Sequence, residues 1–523
     1  MTAAQAILRD AVETHNRPRG VIAGSEVTAD AVIDCDVVVV GSGAGGATMA
    51  AELAEAGADV IVVEEGGYYS TRDFTANASA AVRQLYRDGG ATLALGNPPV
   101  MFQEGRVVGG STVINGGMSW RTPERILDRW YREAGIDEIR ASEMESYFAR
   151  VEQRINVAYQ DEDSIGLDNK LLKKGAEAKG WKVIPNLRNQ LHCVGSNNCA
   201  FGCPTGAKQS ALVTYVPRAL HFGAQIYADA RAEKIIFEGK RAVGVQARIV
   251  RPDGRRGPKL TVRAKLVVSS CGAIHTPALL ARSGVVSPSG QLGRNLSLHP
   301  NTKVVAIFDQ PVRGWEGVHQ AFQVREFHEK GLIFAAVNVP PGMVAMSMGM
   351  RGAALGEVMK LYDKMMVTGM LLEDTSLGSV RTVNGRPQAF YQLNDFDAEN
   401  LKQGVALLAE LLFAAGAKRI LPVFDGGPEL HSADDIRKLF AQPIPKSVLE
   451  LFTVHMMGTA AMGADRSRAV TNGYGLVHDT ERLMIADAST FPTPIGVNPM
   501  ETIMALATRS AGHIIDNART LLS

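Results

Sequence analysis

Four consecutive valines at 37–40 are apolar on both faces, the pattern of a short strand buried on both sides. Glycine then recurs as G-x-G-x-x-G at Gly41, Gly43 and Gly46. Apolar residues follow at helical spacing (Met49, Leu53, Ala54), closed by Gly57, and a second apolar run at 60–63 ends in Glu64. The order predicts a βαβ unit in which each part has a physical task. Gly41 permits the turn out of the strand, Gly43 lets backbone approach a pyrophosphate, and Gly46 lets helix and strand pack closely. The helix N-terminus offers unpaired N–H groups and partial positive charge to phosphate. Glu64 is placed to accept hydrogen bonds from ribose hydroxyls. The motif predicts a dinucleotide site without separating FAD from NAD.

Further along, weak helical periodicity marks 80–86, and 124–185 reads as helices anchored by Trp130, Tyr147 and Trp181. A strand-rich stretch follows, with strands at 225–228, 232–237, 242–250 and 260–269 and a hairpin turn at Asp253-Gly254. Residues 266–268 repeat the buried-strand pattern and lead through a turn of small residues, Cys271 to Thr276, into a helix through Leu280. A last helix is predicted over 499–515, with Asn498 as N-cap and Pro499 at its first position. The N-terminal residues read as a surface leader with one helix over 4–14.

Four segments carry candidate chemistry. Residues 105–123 hold Gly109, Gly110, Ser111, Asn115, Gly116 and Gly117, a composition suited either to a loop pressed on a flat polar ligand or to a surface loop of two turns. Cys193, Cys199 and Cys203 form C-x5-C-x3-C. That spacing admits a three-iron cluster better than tetrahedral zinc, because a fourth ligand is not evident; a compact turn of buried or loosely packed thiols is the favoured alternative, and no metal is assigned. Eight of the 19 methionines fall between Met343 and Met370, which suits either helical core packing or an apolar substrate chamber. His455 is the best general-base candidate, whereas His275 and His299 read as packed or solvent-bridged.

Composition narrows the classes. Lys+Arg of 55 against Asp+Glu of 54 gives a net charge of +1, which argues against a nucleic-acid or acidic-membrane partner held by bulk charge. The chain lacks an 18-residue apolar run, and residues 1–34 lack the apolar core of a secretory signal, so the reading is a soluble, cytoplasmic protein. Five cysteines in 523 residues do not suggest a disulfide framework. Neither G-x-S-x-G nor H-E-x-x-H occurs, so no hydrolase signature competes.

Taken together, VVVVGSGAGG with Glu64, GRVVGGSTVINGG, SSCGAIHTPALLARSGV, LGRNLSLHP, HMMGTAAMG and MIADASTFPTPIGVNPMETIMALATR resemble, in order, the glucose–methanol–choline (GMC) flavoprotein oxidoreductases. The resemblance spans Asp36 to Arg509 and is weakest at 300–450. It implies a mixed α/β fold: a Rossmann-like FAD-binding domain drawn from 30–123, 211–298 and 455–523, a discontinuous substrate-binding domain on a β-sheet from 124–210 and 299–454, and a leader at 1–29. It implies FAD held by Gly41, Gly43, Ala44, Gly46, Glu64, Glu65, Gly109, Gly110, Ser111, Asn115, Gly116, Gly117, Ala232, Asp487, Ala488, Asn498, Pro499 and Thr502.

The family's catalytic pair maps to His455 and Asn498. Asn replaces the second histidine of many members, as in choline- and sterol-oxidising ones, and HMMGT departs from His-Pro-x-Gly-Thr. The implied reaction is oxidation of an apolar or bulky alcohol by hydride transfer to flavin N5, with His455 taking the hydroxyl proton and Asn498 donating to the same oxygen. Dioxygen, a quinone or a redox protein would accept the electrons. The competing readings are a lyase or light-driven decarboxylase on the same scaffold, and a catalytically silent flavin-binding protein. The cysteine pattern is similar both to cluster-bearing sugar dehydrogenases of the family and to cysteine-rich turns of its long-chain alcohol and sterol members.

Overall fold

The computed structural model describes residues 17–251 and 253–523. The helix expected over 4–14 lies outside the described residues. The valine run is the buried end of a longer strand, Ala31–Val40, whose earlier positions are partly exposed. Its side chains alternate between two cores. Val37 and Val39 pack with Met49, Leu53 and Met504 on one face, and Val38 and Val40 pack with Leu279 and Leu280 on the other. A strand covered on both faces has no polar position to spare, which is why the run is all valine.

Among the described residues, eight strands form this first sheet. Ala31–Val40 lies parallel between Val60–Val63 and the long strand Arg256–Ser269. Gln225–Tyr227 and then Val21–Ile22 extend the parallel side. The end of the expected leader is therefore an edge strand of the sheet, with Val21 only 5% exposed, rather than a segment laid on the surface. On the other flank Arg241–Val250 and Ala230–Glu238 run antiparallel, with the Asp253-Gly254 turn where the sequence places it. Leu483–Ile485 pairs in parallel with the end of Arg256–Ser269. The helices Ala44–Glu55 and Met500–Asp516 belong to the core on one face, and Gly272–Arg282 to the core on the other.

A second, mostly antiparallel sheet, twelve-stranded among the described residues, is centred on Asn301–Ile307, Met365–Leu372 and Leu332–Ala336. The 21-residue helix Asp395–Ala415 covers it, its Leu401, Val405, Leu408 and Leu412 packing with Met366 and Met370. The side chain of Asn394 caps that helix by accepting from Asp397 N–H. The methionine-rich stretch divides into two short helices, Pro341–Ser347 and Gly352–Met359, and the fully buried strand Met365–Leu372. Met348, Met365, Met366 and Met370 are core, whereas Met346 is 75% exposed.

Thr92–Leu95, Val100–Phe102 and Arg294–Leu296, which fall within the stretches expected to form the FAD-binding domain, hydrogen-bond into this second sheet. Val100–Phe102 pairs with Leu451–Thr453, and that pairing carries the chain to His455. Among the described residues no helix is long and apolar enough to cross a membrane.

Candidate active site

The glycine turn is built by close backbone approach. Gly41 has φ +97, and a Cβ there would lie 2.4 Å from the Ser270 carbonyl oxygen. Gly45, which the motif leaves open, is as constrained: a Cβ would lie 1.7 Å from the Ala486 carbonyl oxygen. That contact presses the helix Ala44–Glu55 onto the segment leading to Asp487. Gly43 is the N-cap of the helix and supplies no side-chain cap, so the first-turn N–H groups remain open to a ligand. Glu64 is buried. Its carboxylate accepts from Ser42 N–H (2.9 Å), Ser42 Oγ–H (2.7 Å) and Gly66 N–H (2.8 Å). Ser42 Oγ in turn accepts from Gly109 N–H at 3.0 Å, which ties the turn to the second glycine loop.

That loop holds a short 3-10 helix, Gly110–Val113. Gly110 sits against Gly43, where a Cβ would lie 2.6 Å from its Cα. Ser111 Oγ accepts from Gly105 N–H. Asn115 Nδ2 lies 3.0 Å from Met500 Sδ, while Asn115 Oδ1 is buried with no hydrogen-bond partner among the described residues. Two buried cations grip the loop from behind. Lys208 Nζ donates to the carbonyls of Val113, Asn115 and Cys199, and Arg188 Nη2 donates to Gly116 O at 2.7 Å.

At the C-terminal side, the Asp487 carboxylate accepts from Gly272 N–H (2.9 Å), Thr276 Oγ1–H (2.5 Å) and Ser489 N–H (2.8 Å). Ala488 O accepts from Gly458 N–H, three residues past His455. Thr502 Oγ1 lies 2.7 Å from Thr122 Oγ1. The last helix begins at Met500, with Pro499 rather than Asn498 as its N-cap and no side-chain cap. The expected capping role of Asn498 is thus corrected. Its amide is turned to His455, with Nδ2 and His455 Nε2 3.3 Å apart. Both residues keep part of their surface open.

His455 N–H is anchored on Thr453 Oγ1. Burial pulls the imidazole down to about 4, so it is neutral at physiological pH. Behind it stands His299, 1% exposed, with its Nδ1 3.3 Å from His455 Nδ1 and the two rings nearly perpendicular.

Two family models, both described as GMC oxidoreductase, match residues 82–301 and 375–507. An uncharacterized GMC-type oxidoreductase of Sinorhizobium fredii is 35% identical over 490 residues, covering 93% of this chain and 96% of that one. The chain belongs to the GMC oxidoreductases. A long-chain-alcohol oxidase of Arabidopsis thaliana is 29% identical over 512 residues, 91% of this chain and 66% of that one. A solved structure of Aspergillus oryzae formate oxidase, studied for modification of its FAD, superposes with a TM-score of 0.70 at 16% identity, covering 94% of this chain and all of that one. Residues 36–111 also match the model described as pyridine nucleotide-disulphide oxidoreductase.

As a GMC oxidoreductase the protein takes FAD, and its own atoms fit that group. The uncapped helix start at Gly43 suits phosphate, and Asn115 Oδ1 is an acceptor in want of a donor. Glu64 Oε1 accepts one protein hydrogen bond and keeps a second acceptor direction.

Glu65 is engaged by Arg87 and Arg231; burial raises its carboxyl, but those cations and His275 overcome burial and hold it at about 2. Ala232 lies in the strand Ala230–Glu238, paired with Ala247. His275 faces Glu104, 3.4 Å from its carboxylate.

The three cysteines of the C-x5-C-x3-C segment are free thiols. Cys199 Sγ lies 3.5 Å from Arg188 Nη2, and Cys203 Sγ accepts from Lys208 N–H. Among the described residues no group of three or more His, Cys, Asp or Glu is arranged to hold a metal.

Sequence reasoning missed His299, Arg188 and Lys208. His299 is the penultimate residue of the LGRNLSLHP segment, and that segment was its one signal. Nothing local marks the two cations as holding the loop, whose carbonyls at Gly116 and Val113 lie 72 and 95 residues away from them.

Proposed function

We propose that this GMC oxidoreductase oxidises an apolar or bulky alcohol to its carbonyl, with His455 and Asn498 engaging the carbinol oxygen. The observation that carries the reading is the 3.3 Å approach of His455 Nε2 and Asn498 Nδ2 from segments 43 residues apart, both only partly buried. FAD, when bound, supplies the hydride acceptor. The chain's own part is to fix one oxygen between two polar groups and so aim the carbinol carbon. The Asn498 amide donates to that oxygen. Whether neutral His455 takes or gives a proton there depends on which of its nitrogens is protonated, and its neighbours govern that. The long-chain-alcohol oxidase relatives support a greasy substrate.

The test is anaerobic bleaching of the flavin against a panel of sugars, aryl alcohols, fatty alcohols and sterols, followed by admission of air, a quinone or a redox protein. Fatty alcohols or sterols should bleach it. Bleaching by sugars alone would refute the substrate class, and no bleaching by any alcohol would favour the non-redox reading of the scaffold. His455→Ala should stay yellow and lose reduction; normal reduction in that variant would remove His455 from the chemistry.

A further inference from the structure

His299 shares no ligand-facing surface with the pair in front of it, yet its surroundings leave its protons little choice. Its Nε2 lies 3.3 Å from Ile495 N and 3.1 Å from Gly496 N, and both backbone groups can only donate. Nε2 of His299 is therefore an acceptor and carries no proton. Burial and the neighbouring His455 keep this ring neutral, so its single proton is on Nδ1. That N–H points at His455 Nδ1, which must accept it. His455, also neutral, is left with its proton on Nε2, the nitrogen beside Asn498. The opposite arrangement would place a His299 Nε2–H against two backbone N–H groups and lose both hydrogen bonds that Nε2 accepts.

We propose that His299 is a positioning residue that fixes His455 as the Nε2–H tautomer, so that His455 and Asn498 present two N–H donors to one oxygen. The inference rests on the alcohol-oxidation reading for what that oxygen is. Two donors 3.3 Å apart do not bond each other; they converge on a third atom. The geometry suits an oxygen gaining negative charge, as a carbinol oxygen does on its way to alkoxide or carbonyl. His455 then gives a hydrogen bond rather than taking the hydroxyl proton, and that proton leaves to solvent water. This departs from the base role that the sequence resemblance implies, for a reason confined to His299 and its backbone clamp.

The clamp is itself held. Asp374 is buried and accepts from Leu298 N–H (3.0 Å), His299 N–H (3.1 Å) and Tyr391 Oη–H (2.7 Å). It thereby fixes the backbone of His299 at φ +44, the left-handed region.

The test is nitrogen NMR of oxidised holoenzyme labelled with [15N]histidine, without alcohol, with the His455 signals assigned by their loss in His455→Gln. Wild type should show His455 with a bare Nδ1 and a protonated Nε2. His299→Leu should move Nδ1 towards the protonated position as the tautomers mix. His299→Asn should restore the wild-type pattern, because asparagine tolerates the left-handed backbone and its amide N–H can replace Nδ1–H. A protonated Nδ1 on His455 in wild type, or an unchanged spectrum in His299→Leu, would overturn the proposal. The readout uses no substrate, so it stands or falls separately from the bleaching panel: failure of every alcohol to bleach flavin would sink the functional reading and leave the tautomer result intact.

Discussion

The ammonium of Lys208 lies 2.8 Å from the carbonyl oxygen of Asn115, and the same nitrogen donates to Val113 O at 2.7 Å and Cys199 O at 2.6 Å. One buried cation thus joins the cysteine segment to the loop that bears Asn115. Lys208→Met would leave three buried carbonyls unpaired, at roughly 1–3 kcal/mol each, offset in part by removal of a buried charge. The variant should lose about 2–4 kcal/mol of stability and retain less flavin. Thermal denaturation and the flavin-to-protein absorbance ratio check this, and wild-type values for both would show that the loop does not depend on the tether.

Asp374 gives a pH dependence with a definite sign. Burial is the main cause that raises its carboxyl from 3.8 to about 7, against the three donors that favour the charged form. Between about pH 4 and 7 the folded state therefore holds a proton that the unfolded state has released. Stability contributed at this site falls as pH rises through that window, and the penalty is complete above about 7. Asp374→Asn does not titrate. Urea unfolding at pH 5 and pH 7 should show wild type losing more stability between the two than the variant; equal losses would mean that Asp374 is ionised throughout.

Asn498 faces His455 and does not cap the last helix. Asn498→Ala should therefore keep its yellow flavin and its melting temperature while kcat with a bleaching alcohol falls about 10²-fold, the scale of one lost oxyanion donor. Loss of a true cap would instead cost about 1 kcal/mol of stability. A lowered melting temperature with near-normal turnover would reverse the assignment.

Gly45 offers a steric test of how the two halves of the first sheet meet. An alanine methyl would fall 1.7 Å from Ala486 O, a backbone atom that cannot swing aside. Gly45→Ala should cost about 3 kcal/mol or more and deplete flavin. Gly57 is the control: a Cβ there meets nothing within 4 Å, and only its φ of +92 is strained. Gly57→Ala should cost about 1 kcal/mol with flavin retained. Comparable losses in the two variants would mean that the Ala486 contact is not what constrains Gly45.

Patterns that repeat within a few residues were legible from the chain alone. The strand and helix around Gly41 to Glu64, the hairpin at Asp253-Gly254 and the last helix all follow from local periodicity and turn chemistry, which act over one or two turns of backbone. The ordered motifs likewise singled out His455 and Asn498 together. The register of distant strands was not legible. Thr92–Leu95 and Val100–Phe102 carried no strand signal in the chain, because three or four residues are too few to show a period or to label a partner. Met365–Leu372 is a buried strand although its methionines suited a helix, since burial between Asn301–Ile307 and Leu332–Ala336 outweighs local propensity.

From the residues alone came the family resemblance, the FAD it implies and the candidate pair His455 and Asn498, because those rest on short motifs that occur together and in order. Only the folded chain decided that Asn498 turns from the helix end to His455, and that His299, 156 residues earlier, stands behind it. The reason is physical. A side chain's partner depends on where folding carries it, and a proton on a ring nitrogen depends on every donor and acceptor that arrives there with it.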